Sequence, residues 1–575
     1  MLEQLSWKVG GQQGEGIDST GTILATSLNR NGYFIYGYRH FSSRIKGGHT
    51  NYKIRISTKQ RLANADYLDI LIAFDQETID FNAHELRENG VLIADSKFKP
   101  VAPEGQKIRF FSVPLTQLAE DNGSAIMRNM VAIGATAAVL DLDPEMFRSV
   151  LTDRFGKKGE AVVQNNLNAL TAGAQYVKDQ GIDLADIRLA PGDGKERLYL
   201  TGNDACGFGA LAGGVRVMAA YPITPASEIM EYLIKKLPKI GGHVIQTEDE
   251  IAAITMCIGA SFGGSRVITS TSGPGLSLMM EALGLSGITE TPLVIVDTQR
   301  GGPSTGMPTK HEQSDMYAAL WGTHGEIPKI VLAPADATDC FYMTAEALNL
   351  ADKFQVPVIV LTDLALSMAD QTAEPFDFSN LSIDRGRLAT QEELASVPEG
   401  ELFKRFAFAE DGISPRVFPG QKGGIHHVTG VEHNEVGRPT EDAGIRTKMM
   451  DKRLGKIDLE LPNSYTFNGD EDYDLLIMGV GSTAGLLDEV MERLQAEGQK
   501  VGHLHIKALN PFPVASTQKY VDKAKKVVVV ENNATAQLVH VMRFNNVKGD
   551  FISQVKYDGN PFVPSEIEKF IKELN

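Results

Sequence analysis

The chain has 575 residues, 42% of them hydrophobic and 22% charged, a composition typical of a globular protein with several domains. Its formal net charge of −17 argues against nucleic acid or an anionic membrane as a partner, and any anionic ligand must be met by locally placed cations. There is no signal-peptide pattern, no apolar run near the ~20 residues of a membrane helix, and the three cysteines are far apart. We therefore expect a cytoplasmic protein without a disulfide framework or a cysteine-bound cluster of its own.

Residues 1–190 are predicted to form a first α/β domain. A strand at 6–9 runs into the glycine-rich turn Gly10–Gly16, with further strands and a helix predicted at 51–56, 67–73, 90–94 and 125–140. Such a turn can hold phosphate at a helix N-terminus, but its spacing departs from the dinucleotide fingerprint, and a tight turn is an equal alternative. A second candidate loop for phosphate or carboxylate, or simply a solvated basic turn, contains Arg44, Lys46 and His49.

A polar stretch at 178–198 indicates a linker, and a second α/β domain is predicted over 195–375. Short Val/Ile-rich runs alternate there with helical patterns, which is typical of a parallel sheet covered on both faces. The runs are at 243–246, 266–269, 292–297, 329–332 and 357–361, and the helices are at 251–261, 276–285 and 338–353.

Residues 376–465 have few periodic runs and are predicted to form an irregular connecting segment. Its histidines His426, His427 and His433 could suggest a metal site, but no second set of ligands accompanies them. A third α/β domain is predicted over 466–575, where a strand leads into the turn Gly479–Ala484, weak evidence for a ligand on its own.

Four polar or glycine-rich clusters in the second domain each follow a β-branched run and precede a helical pattern. They are Tyr221–Pro225, Gln246–Glu250, Thr271–Gly275 and Arg300–Pro308. Loops at the carboxyl ends of strands bind ligands in open α/β sheets, so the four clusters together predict a site. Each of two residues also has a purely structural alternative to a role in a site. Thr224 before Pro225 is a good helix N-cap, and Arg300 could pair with a surface acid.

Together these blocks resemble the 2-oxoacid:ferredoxin (acceptor) oxidoreductases, specifically a large subunit in which γ and α parts are fused. Tyr221–Pro225 is similar to the YPITP signature of that family, and the following blocks match at Ser272–Gly275, Arg300 with Gly302–Gly306, and Glu312-Gln313. The resemblance covers nearly the whole chain. It implies three α/β domains with mostly parallel sheets: a γ-type domain, a thiamine diphosphate (ThDP) pyrimidine-binding domain and a transketolase C-terminal-like domain.

The resemblance implies ThDP-dependent decarboxylation of a 2-oxoacid, electron transfer to an iron–sulfur centre and release of an acyl-CoA. A carboxylate is then needed at N1′ of the ThDP pyrimidine, and Glu250 is favoured over Glu248, the other being a first-turn helix carboxylate. Thr224 and Arg300 are expected to contact the 2-oxoacid. Further cofactor contacts are expected from Tyr221, Pro222, Ile223, Ser272 and Gly273, and contacts to a distal carboxylate or CoA from Arg44, Lys46 and His49.

The family's Mg²⁺–diphosphate site usually has a Gly-Asp-Gly motif followed by asparagines. The only such triplet here is Gly192-Asp193-Gly194, which is interpreted as a turn. The resemblance therefore implies a separate β subunit that supplies Mg²⁺ and a [4Fe-4S] cluster, a ferredoxin acceptor and a dimer of heterodimers. The favoured substrate is expected to be 2-oxoglutarate. The alternatives are pyruvate or a broad 2-oxoacid range, a non-oxidative ThDP transferase, and a non-catalytic nucleotide-binding subunit.

Overall fold

The computed structural model describes residues 1–41 and 48–574. It divides into two compact units. The first unit contains residues 1–200, 368–375 and 563–575, and the second contains residues 201–367 and 376–562. The four predicted domain ranges stay predictions, although each of the three sheets takes most of its strands from one of the predicted α/β ranges.

The helices and strands follow in chain order. Residues 1–201 form β1 (Gln4–Gln12), α1 (Ile17–Arg30), β2 (Phe34–His40), β3 (His49–Ser57), β4 (Leu68–Ala73), α2 (Gln76–Asn82), β5 (Leu86–Asp95), β6 (Arg109–Val113), α3 (Leu115–Asp121), α4 (Arg128–Leu140), α5 (Arg148–Phe155), α6 (Glu160–Asp179) and β7 (Leu198–Thr201). Residues 202–375 form α7 (Gly202–Ala212), β8 (Val217–Ala220), α8 (Ser227–Lys236), β9 (His243–Gln246), α9 (Glu250–Phe262), β10 (Val267–Thr271), α10 (Gly273–Leu278), α11 (Met280–Ile288), β11 (Leu293–Gln299), α12 (Met316–Trp321), β12 (Ile330–Leu332), α13 (Ala337–Phe354), β13 (Pro357–Asp363), α14 (Leu364–Met368) and β14 (Asp370–Ala373). Residues 376–574 form α15 (Gln391–Ala395), α16 (Ala443–Gly455), β15 (Tyr465–Gly469), β16 (Leu475–Val480), α17 (Thr483–Ala496), β17 (Val501–Ile506), β18 (Ala508–Asn510), α18 (Val514–Val521), β19 (Lys526–Glu531), α19 (Gln537–Phe544), β20 (Phe551–Val555) and α20 (Pro564–Glu573).

The first unit is built on an eight-stranded sheet in the order β6-β5-β4-β1-β3-β2-β14-β7. β6, β5, β4 and β1 pair in parallel, whereas β1 with β3, β3 with β2 and β2 with β14 are antiparallel. The predicted strands are confirmed as β1, β3, β4 and β5, and the predicted helix as α4, which begins after a short 3-10 turn at 125–127. The predictions omitted β2, β6 and the long helix α6.

The second unit contains a seven-stranded sheet in the order β18-β12-β13-β11-β10-β8-β9. All its pairings are parallel except that of β12 with β18. The five predicted strands are confirmed as β9 to β13, and their side chains, apart from those of β9, are buried, as near-continuous apolar runs indicate. The prediction missed β8, whose sequence Val-Met-Ala-Ala has weak strand propensity.

A five-stranded sheet, β15-β17-β16-β19-β20, completes the second unit. Its strands are parallel apart from the edge strand β15, which is antiparallel to β17. The chain then leaves β17 and adds β18 to the edge of the seven-stranded sheet, with the N–H of Ala333 donating to the carbonyl oxygen of Lys507 at 2.7 Å. One hydrophobic core includes side chains from both sheets, so residues 466–562 pack as part of the second unit.

Two glycines set the distance between α4 and α6 in the first unit. A Cβ on Gly134 would overlap the carbonyl oxygen of Leu170, and a Cβ on Gly173 would overlap that of Val131. The two helices therefore pack backbone against backbone, and both glycine positions are fully enclosed. α4 is buried along nearly its whole length, so this contact supports the core of the unit.

Buried charges attach the irregular segment 376–465 to the second unit. Glu290, after α11, is fully buried and pairs with the ammonium groups of Lys452 and Lys456 on or next to α16. The guanidinium of Arg405 donates to the carbonyl oxygen of Glu290 at 2.8 Å. The two lysines hold the pKa of Glu290 well below its usual range despite burial. The segment is irregular as predicted, but α16 was not predicted.

The histidines of this segment have structural contacts. His433 is fully buried, 4.2 Å from the ring of Phe406, and its Nδ1 donates to the carbonyl oxygen of Val431. Nδ1 of His426 donates in the same way to Gly424. Within the described ranges, no group of three or more His, Cys, Asp or Glu residues could hold a metal ion. None of the helices in those ranges is both long and apolar enough to cross a membrane.

We predict that Gly134→Ala destabilises the first unit by about 1–3 kcal/mol or more, because the added methyl group has no space against Leu170. The matched control is Gly156→Ala, where the nearest atom is 3.6 Å away, and this change should be neutral or slightly stabilising. Thermal unfolding followed by calorimetry measures both changes. Equal melting temperatures for the two variants would contradict the close helix contact.

Replacing Glu290 by glutamine is expected to lower stability by about 3–5 kcal/mol, because two buried ammonium groups lose their counter-ion. The exposed Glu441→Gln variant removes the same charge at the surface and should change stability by less than about 0.5 kcal/mol. Denaturant unfolding gives the free energies, and limited proteolysis shows whether residues 376–465 are released first. An undisturbed segment in Glu290→Gln would show that the buried charges do not hold it.

Candidate functional site

The four predicted clusters each begin where a strand of the seven-stranded sheet ends. β11, β10, β8 and β9 are neighbours in that order, and every pairing among them is parallel. Their carboxyl ends therefore meet at one edge of the sheet. The loops that follow them are, in the same order, Arg300–Pro308, Thr271–Gly275, Tyr221–Pro225 and Gln246–Glu250.

The loop Tyr221–Pro225 does not cap the next helix through Thr224. α8 begins only at Ser227, and the N–H of Ser227 donates to the carbonyl oxygen of Ile223. The alternative of Thr224 as N-cap and Pro225 as the first helical residue is therefore wrong. Exposure falls along the loop, from an exposed Tyr221 to half-buried Pro222, Ile223 and Thr224. The Thr224 hydroxyl therefore has no capping role in α8.

The two candidate carboxylates after β9 differ in burial. Glu250 is the first residue of α9 and is 5% exposed, whereas Glu248 is exposed. The N-cap between them is Asp249, whose side chain accepts from the N–H of Ala252 at 2.7 Å. Glu248 therefore precedes the cap, and the residue in the first turn of the helix is Glu250.

The Glu250 side chain packs against the neighbouring loop. A Cβ on Gly275 would lie 2.6 Å from Glu250 Oε1, so only glycine fits beside this carboxylate. Across the part of the chain that the structure describes, no hydrogen bond reaches the Glu250 carboxylate. A carboxylate without a protein partner, at a strand end in a row of loops, is a candidate for ligand contact.

Ser272 and Gly273 join β10 to α10 at the same edge. The Ser272 hydroxyl is fully buried and has no hydrogen-bond partner in the described ranges. A Cβ on Gly273 would lie 2.7 Å from Asp315 Oδ2, so the backbone here approaches a second carboxylate. The two glycines of this loop thus face Glu250 and Asp315, one carboxylate each.

Arg300 ties two of the loops together through backbone carbonyl groups. Its Nη1 donates to the carbonyl oxygen of Thr224 at 2.5 Å and its Nη2 to that of Thr305 at 3.3 Å. The residue is 6% exposed, and its buried Nε has no partner in the described part of the chain. The alternative of a salt bridge to a surface acid is therefore wrong. Burial lowers the pKa of the Arg300 guanidinium, although it stays charged at neutral pH.

Two acidic side chains, Asp297 and Asp315, act electrostatically on Arg300, and a third, Glu312, acts on Asp315. Asp297 is fully buried at the end of β11, and both its carboxyl oxygens lack a partner among the described residues. Burial raises the pKa of Asp297 well above its ordinary value, and nearby Asp315 raises it further. Burial, with Glu312 nearby, raises the pKa of Asp315 to about 7, and burial also raises that of Glu312. The sequence analysis missed Asp297 and Asp315, although a carboxylate ending an apolar strand run is a visible signal.

Gln313 connects the seven-stranded and five-stranded sheets of the second unit through its side chain. Its Nε2 donates to Asp363 Oδ2 at 2.8 Å and to the carbonyl oxygen of Val480 at 2.9 Å, and its Oε1 accepts from the N–H of Asn532. A Cβ on Gly481 would lie 2.7 Å from Asp363 Oδ2. The glycine-rich turn Gly479–Ala484 is thus explained by packing against Asp363 and Gln313.

The remaining predicted residues belong to the first unit. Arg44 and Lys46 lie outside the described residues. His49 begins β3, and its Nε2 lies 3.0 Å from Nδ2 of Asn82, while its buried Nδ1 has no described partner. Burial lowers the pKa of His49, so the ring is neutral at pH 7.

The glycine-rich turn of the first unit opens onto a cavity of about 660 Å³. Gly16 has a left-handed conformation (φ 80°) at the start of α1, which has no side-chain cap. A Cβ on Gly16 would overlap Nδ2 of Asn129, near the start of α4. The cavity is lined by the start of α1, by the 3-10 turn that Ser124 caps before α4, and by the cations Lys97, Arg128, Arg154 and Lys158. Glu15 also lines it and pairs with Arg128 at 2.9 Å.

Family models match three consecutive parts of the chain. Residues 208–452 match the thiamine diphosphate-binding model of pyruvate flavodoxin/ferredoxin oxidoreductases. Residues 6–176 match the pyruvate ferredoxin/flavodoxin oxidoreductase model, and residues 473–558 match core domain II of pyruvate:ferredoxin oxidoreductase. The α/β fold class with mostly parallel sheets is confirmed.

Relatives that match over nearly the full length of the chain point to the same family as the family models. The α subunit of a 2-oxoacid:ferredoxin oxidoreductase from a Sulfolobus species is 33% identical over 98% of this chain and 96% of its own. The 2-oxoglutarate oxidoreductase subunit KorA of Mycobacterium tuberculosis is 31% identical over 99% and 91%. A solved structure of 2-oxoglutarate:ferredoxin oxidoreductase from Magnetococcus marinus, with 2-oxoglutarate, coenzyme A and succinyl-CoA bound, is 37% identical with a TM-score of 0.93, covering 100% of both chains. The chain belongs to the α subunits of the 2-oxoacid:ferredoxin oxidoreductases.

Proposed function

We propose that this chain is the α subunit of an enzyme that converts 2-oxoglutarate and CoA into succinyl-CoA and CO₂ and passes the electrons through a [4Fe-4S] cluster to ferredoxin. The observation that carries the proposal is the buried, unpartnered Glu250 in one row of strand-end loops with Arg300. The likeness to KorA and to the Magnetococcus marinus enzyme favours 2-oxoglutarate over pyruvate.

The residues of this row fit the pyrimidine half of ThDP. When bound, ThDP supplies the chemistry by which a 2-oxoacid loses CO₂. Glu250 offers a carboxylate free to hold a proton at the pyrimidine N1′ atom, a task in which placement decides the rate. Tyr221, Pro222, Ile223, Ser272 and Gly273 would line the same pocket, with the exposed Glu248 at its margin.

Arg300 and Thr224 are the proposed contacts for the 2-oxoacid. The guanidinium uses one N–H of each Nη for a backbone carbonyl, which leaves donors for a substrate carboxylate. Its hydrogen bond to the carbonyl oxygen of Thr224 also holds the backbone that carries the Thr224 hydroxyl beside the cation. Substrate bound there would meet a preorganised pair of donors, with little reorganisation on binding.

A β subunit is proposed to supply Mg²⁺, the diphosphate side of ThDP and the [4Fe-4S] cluster, within a dimer of heterodimers. The only Gly-Asp-Gly triplet of this chain supports that division. Asp193 in the triplet accepts from Nη1 and Nη2 of Arg197, at 2.9 and 2.6 Å, and this pairing holds its pKa far below the usual range. The Asp193 carboxylate thus stabilises a turn through Arg197 and is not proposed as a metal ligand.

The cavity beside the glycine-rich turn of the first unit is the proposed contact for CoA. The start of α1, which has no side-chain cap, suits its phosphate groups together with the cations Lys97, Arg154 and Lys158. They supply the local positive charge that a chain of net charge −17 needs, whereas Arg128 is paired with Glu15. Arg44, Lys46 and His49 stay candidates for CoA or for the distal carboxylate of the substrate. His49 would act there as a neutral hydrogen-bonding group.

We predict that Glu250→Gln lowers kcat by about 10²- to 10⁴-fold, because the amide cannot hold the N1′ proton. The exposed Glu399→Gln variant is the matched control and should have wild-type activity. Steady-state rates of the assembled enzyme with 2-oxoglutarate, ThDP, Mg²⁺, CoA and a viologen dye measure this. A larger loss in Glu248→Gln than in Glu250→Gln would transfer the role to Glu248.

Arg300→Ala should reduce kcat/KM for 2-oxoglutarate by roughly 30- to 150-fold, since a charge-assisted contact to the substrate is lost. The exposed Arg438→Ala variant controls for loss of a cation. The assay compares 2-oxoglutarate with pyruvate in the chain co-expressed with its β partner, and it should require CoA.

Each other outcome of that assay selects another function. Turnover without CoA would indicate a non-oxidative ThDP enzyme, and a preference for pyruvate would replace 2-oxoglutarate as substrate. Full activity of Arg300→Ala would remove Arg300 from the site. No activity with any 2-oxoacid would favour a non-catalytic subunit.

A further inference from the structure

A small cavity in the second unit is lined by two buried arginines, Arg405 and Arg416, which are 4% and 5% exposed. Nη2 of Arg405 donates to the carbonyl oxygen of Glu290 at 2.8 Å. Nη1 of Arg416 donates to Asp352 Oδ1, also at 2.8 Å. Nη1 of Arg405, and Nε and Nη2 of Arg416, are buried without a hydrogen-bond partner among the described residues. Each of these nitrogens carries N–H groups, so both side chains have donors that lack acceptors.

The cavity lies where the irregular segment 376–465 packs against the rest of the second unit. Its lining includes Ser261 and Phe262 at the end of α9, residues 289–292 before β11, and Val428 of the segment. Its volume of about 10 Å³ is enough for one water molecule or an ion of similar size, but not for phosphate or an organic acid. Phe262 and Val428 are also exposed to solvent, so the cavity is close to the surface and a small ion can reach it.

The carboxylate of Glu290 is bonded to cations other than Arg405. It accepts from the ammonium group of Lys452 at 2.7 Å and from that of Lys456. The hydrogen bond of Arg405 goes instead to the neutral carbonyl oxygen of Glu290. These three buried cations thus have one carboxylate between them.

Asp352, which is buried on α13, has a similar excess of cations. Its carboxylate accepts from Nε of Arg266 at 2.9 Å, from Nη1 of Arg416 at 2.8 Å and from Nε of the half-buried Arg385 at 2.8 Å. Arginine stays protonated in proteins, so loss of a proton does not remove these charges. Uncompensated buried charge is costly, and the cavity is next to cations that lack a full counter-charge.

His426 also has an unpartnered buried atom on the lining, Nε2. Its Nδ1 donates to the carbonyl oxygen of Gly424 at 2.8 Å, so Nε2 of the neutral ring is an acceptor. An anion in the cavity would therefore be held by the arginines, whereas a water molecule could also donate to His426. Water is the competing occupant, but it would leave the excess of positive charge uncompensated.

We propose that the cavity is a binding site for one monovalent inorganic anion of halide size, held by the free N–H groups of Arg405 and Arg416. The ion supplies an acceptor for both guanidinium groups and offsets part of the excess positive charge. Both arginines belong to the segment 376–465, and the rest of the lining includes α9 and the residues before β11. The bound ion therefore stabilises the attachment of the segment. The site involves none of the residues of the proposed function and does not rest on it.

Thermal unfolding of the full chain, purified without halide, tests the site. Sodium gluconate is replaced stepwise by sodium chloride at constant ionic strength, because gluconate is too large for the cavity. We expect the melting temperature to rise by about 2–4 °C and then to level off, because chloride binds the folded state. Arg405→Met removes one proposed ligand at similar side-chain length, and its melting temperature should not depend on chloride. The exposed Arg438→Met variant, in the same segment, should keep the wild-type dependence.

Bromide shows where the ion binds. In crystals of the full chain soaked in sodium bromide, we expect one anomalous difference peak between the guanidinium groups of Arg405 and Arg416. This measurement uses the unaltered protein, so it decides the question even if Arg405→Met does not fold.

Three results would overturn the inference. Equal melting temperatures in chloride and gluconate, with only water in the cavity, would show that water is the occupant. A bromide peak without any chloride dependence of the melting temperature would show an adventitious ion only. A chloride dependence that persists in Arg405→Met, or that comes without a bromide peak in the cavity, would place the ion elsewhere. None of these results bears on the proposed function, which uses other residues.

Discussion

The parallel order of β11, β10, β8 and β9 is the constraint on which the candidate site depends. The loops that follow parallel neighbouring strands all lie at one edge of the sheet. The four loops, which are spread over residues 221–308, are therefore adjacent even without contacts between them. Contacts between the loops then refine the arrangement. Arg300 bonds to Thr224 and Thr305, Asp315 to Gly273, and Glu250 packs on Gly275. The sheet brings the loops together, and these contacts orient them.

The C-terminal sheet supports this edge through one buried amide. Gln313 uses both N–H groups of its side chain and its oxygen, with partners at the ends of β13 and β16 and in the loop after β19. Because every polar atom is satisfied, burial of the amide costs little, and its geometry fixes the two sheets of the second unit relative to each other. Gly481 has to be glycine for Asp363 to reach this junction.

The sequence predicts the strands of the second unit and the loops that follow them well, because a parallel sheet buried on both faces needs continuous Val/Ile runs that end in turn residues. Prediction from the sequence fails where the same local pattern is compatible with two structures. Thr224-Pro225 has the residues of a helix start, yet α8 begins at Ser227. Prediction also fails where two partners are far apart in the sequence, because no local periodicity indicates such a pair. Examples are Glu290 with Lys456 and Asp315 with Gly273. Glu250 could be favoured from sequence, but its burial could not.

Under the proposed function, a chain with a net charge of −17 has to bind an anionic substrate. A net charge of −17 opposes binding at long range, but salt screens that field beyond about 10 Å, and the local charge decides affinity. Asp297 and Asp315 act electrostatically on Arg300, and desolvation raises the pKa of both, that of Asp315 to about 7. Burial therefore reduces the negative charge beside Arg300 and leaves the guanidinium charged. An excess of acidic residues in the composition is thus compatible with a local cation, because burial opposes ionisation of the acids beside it.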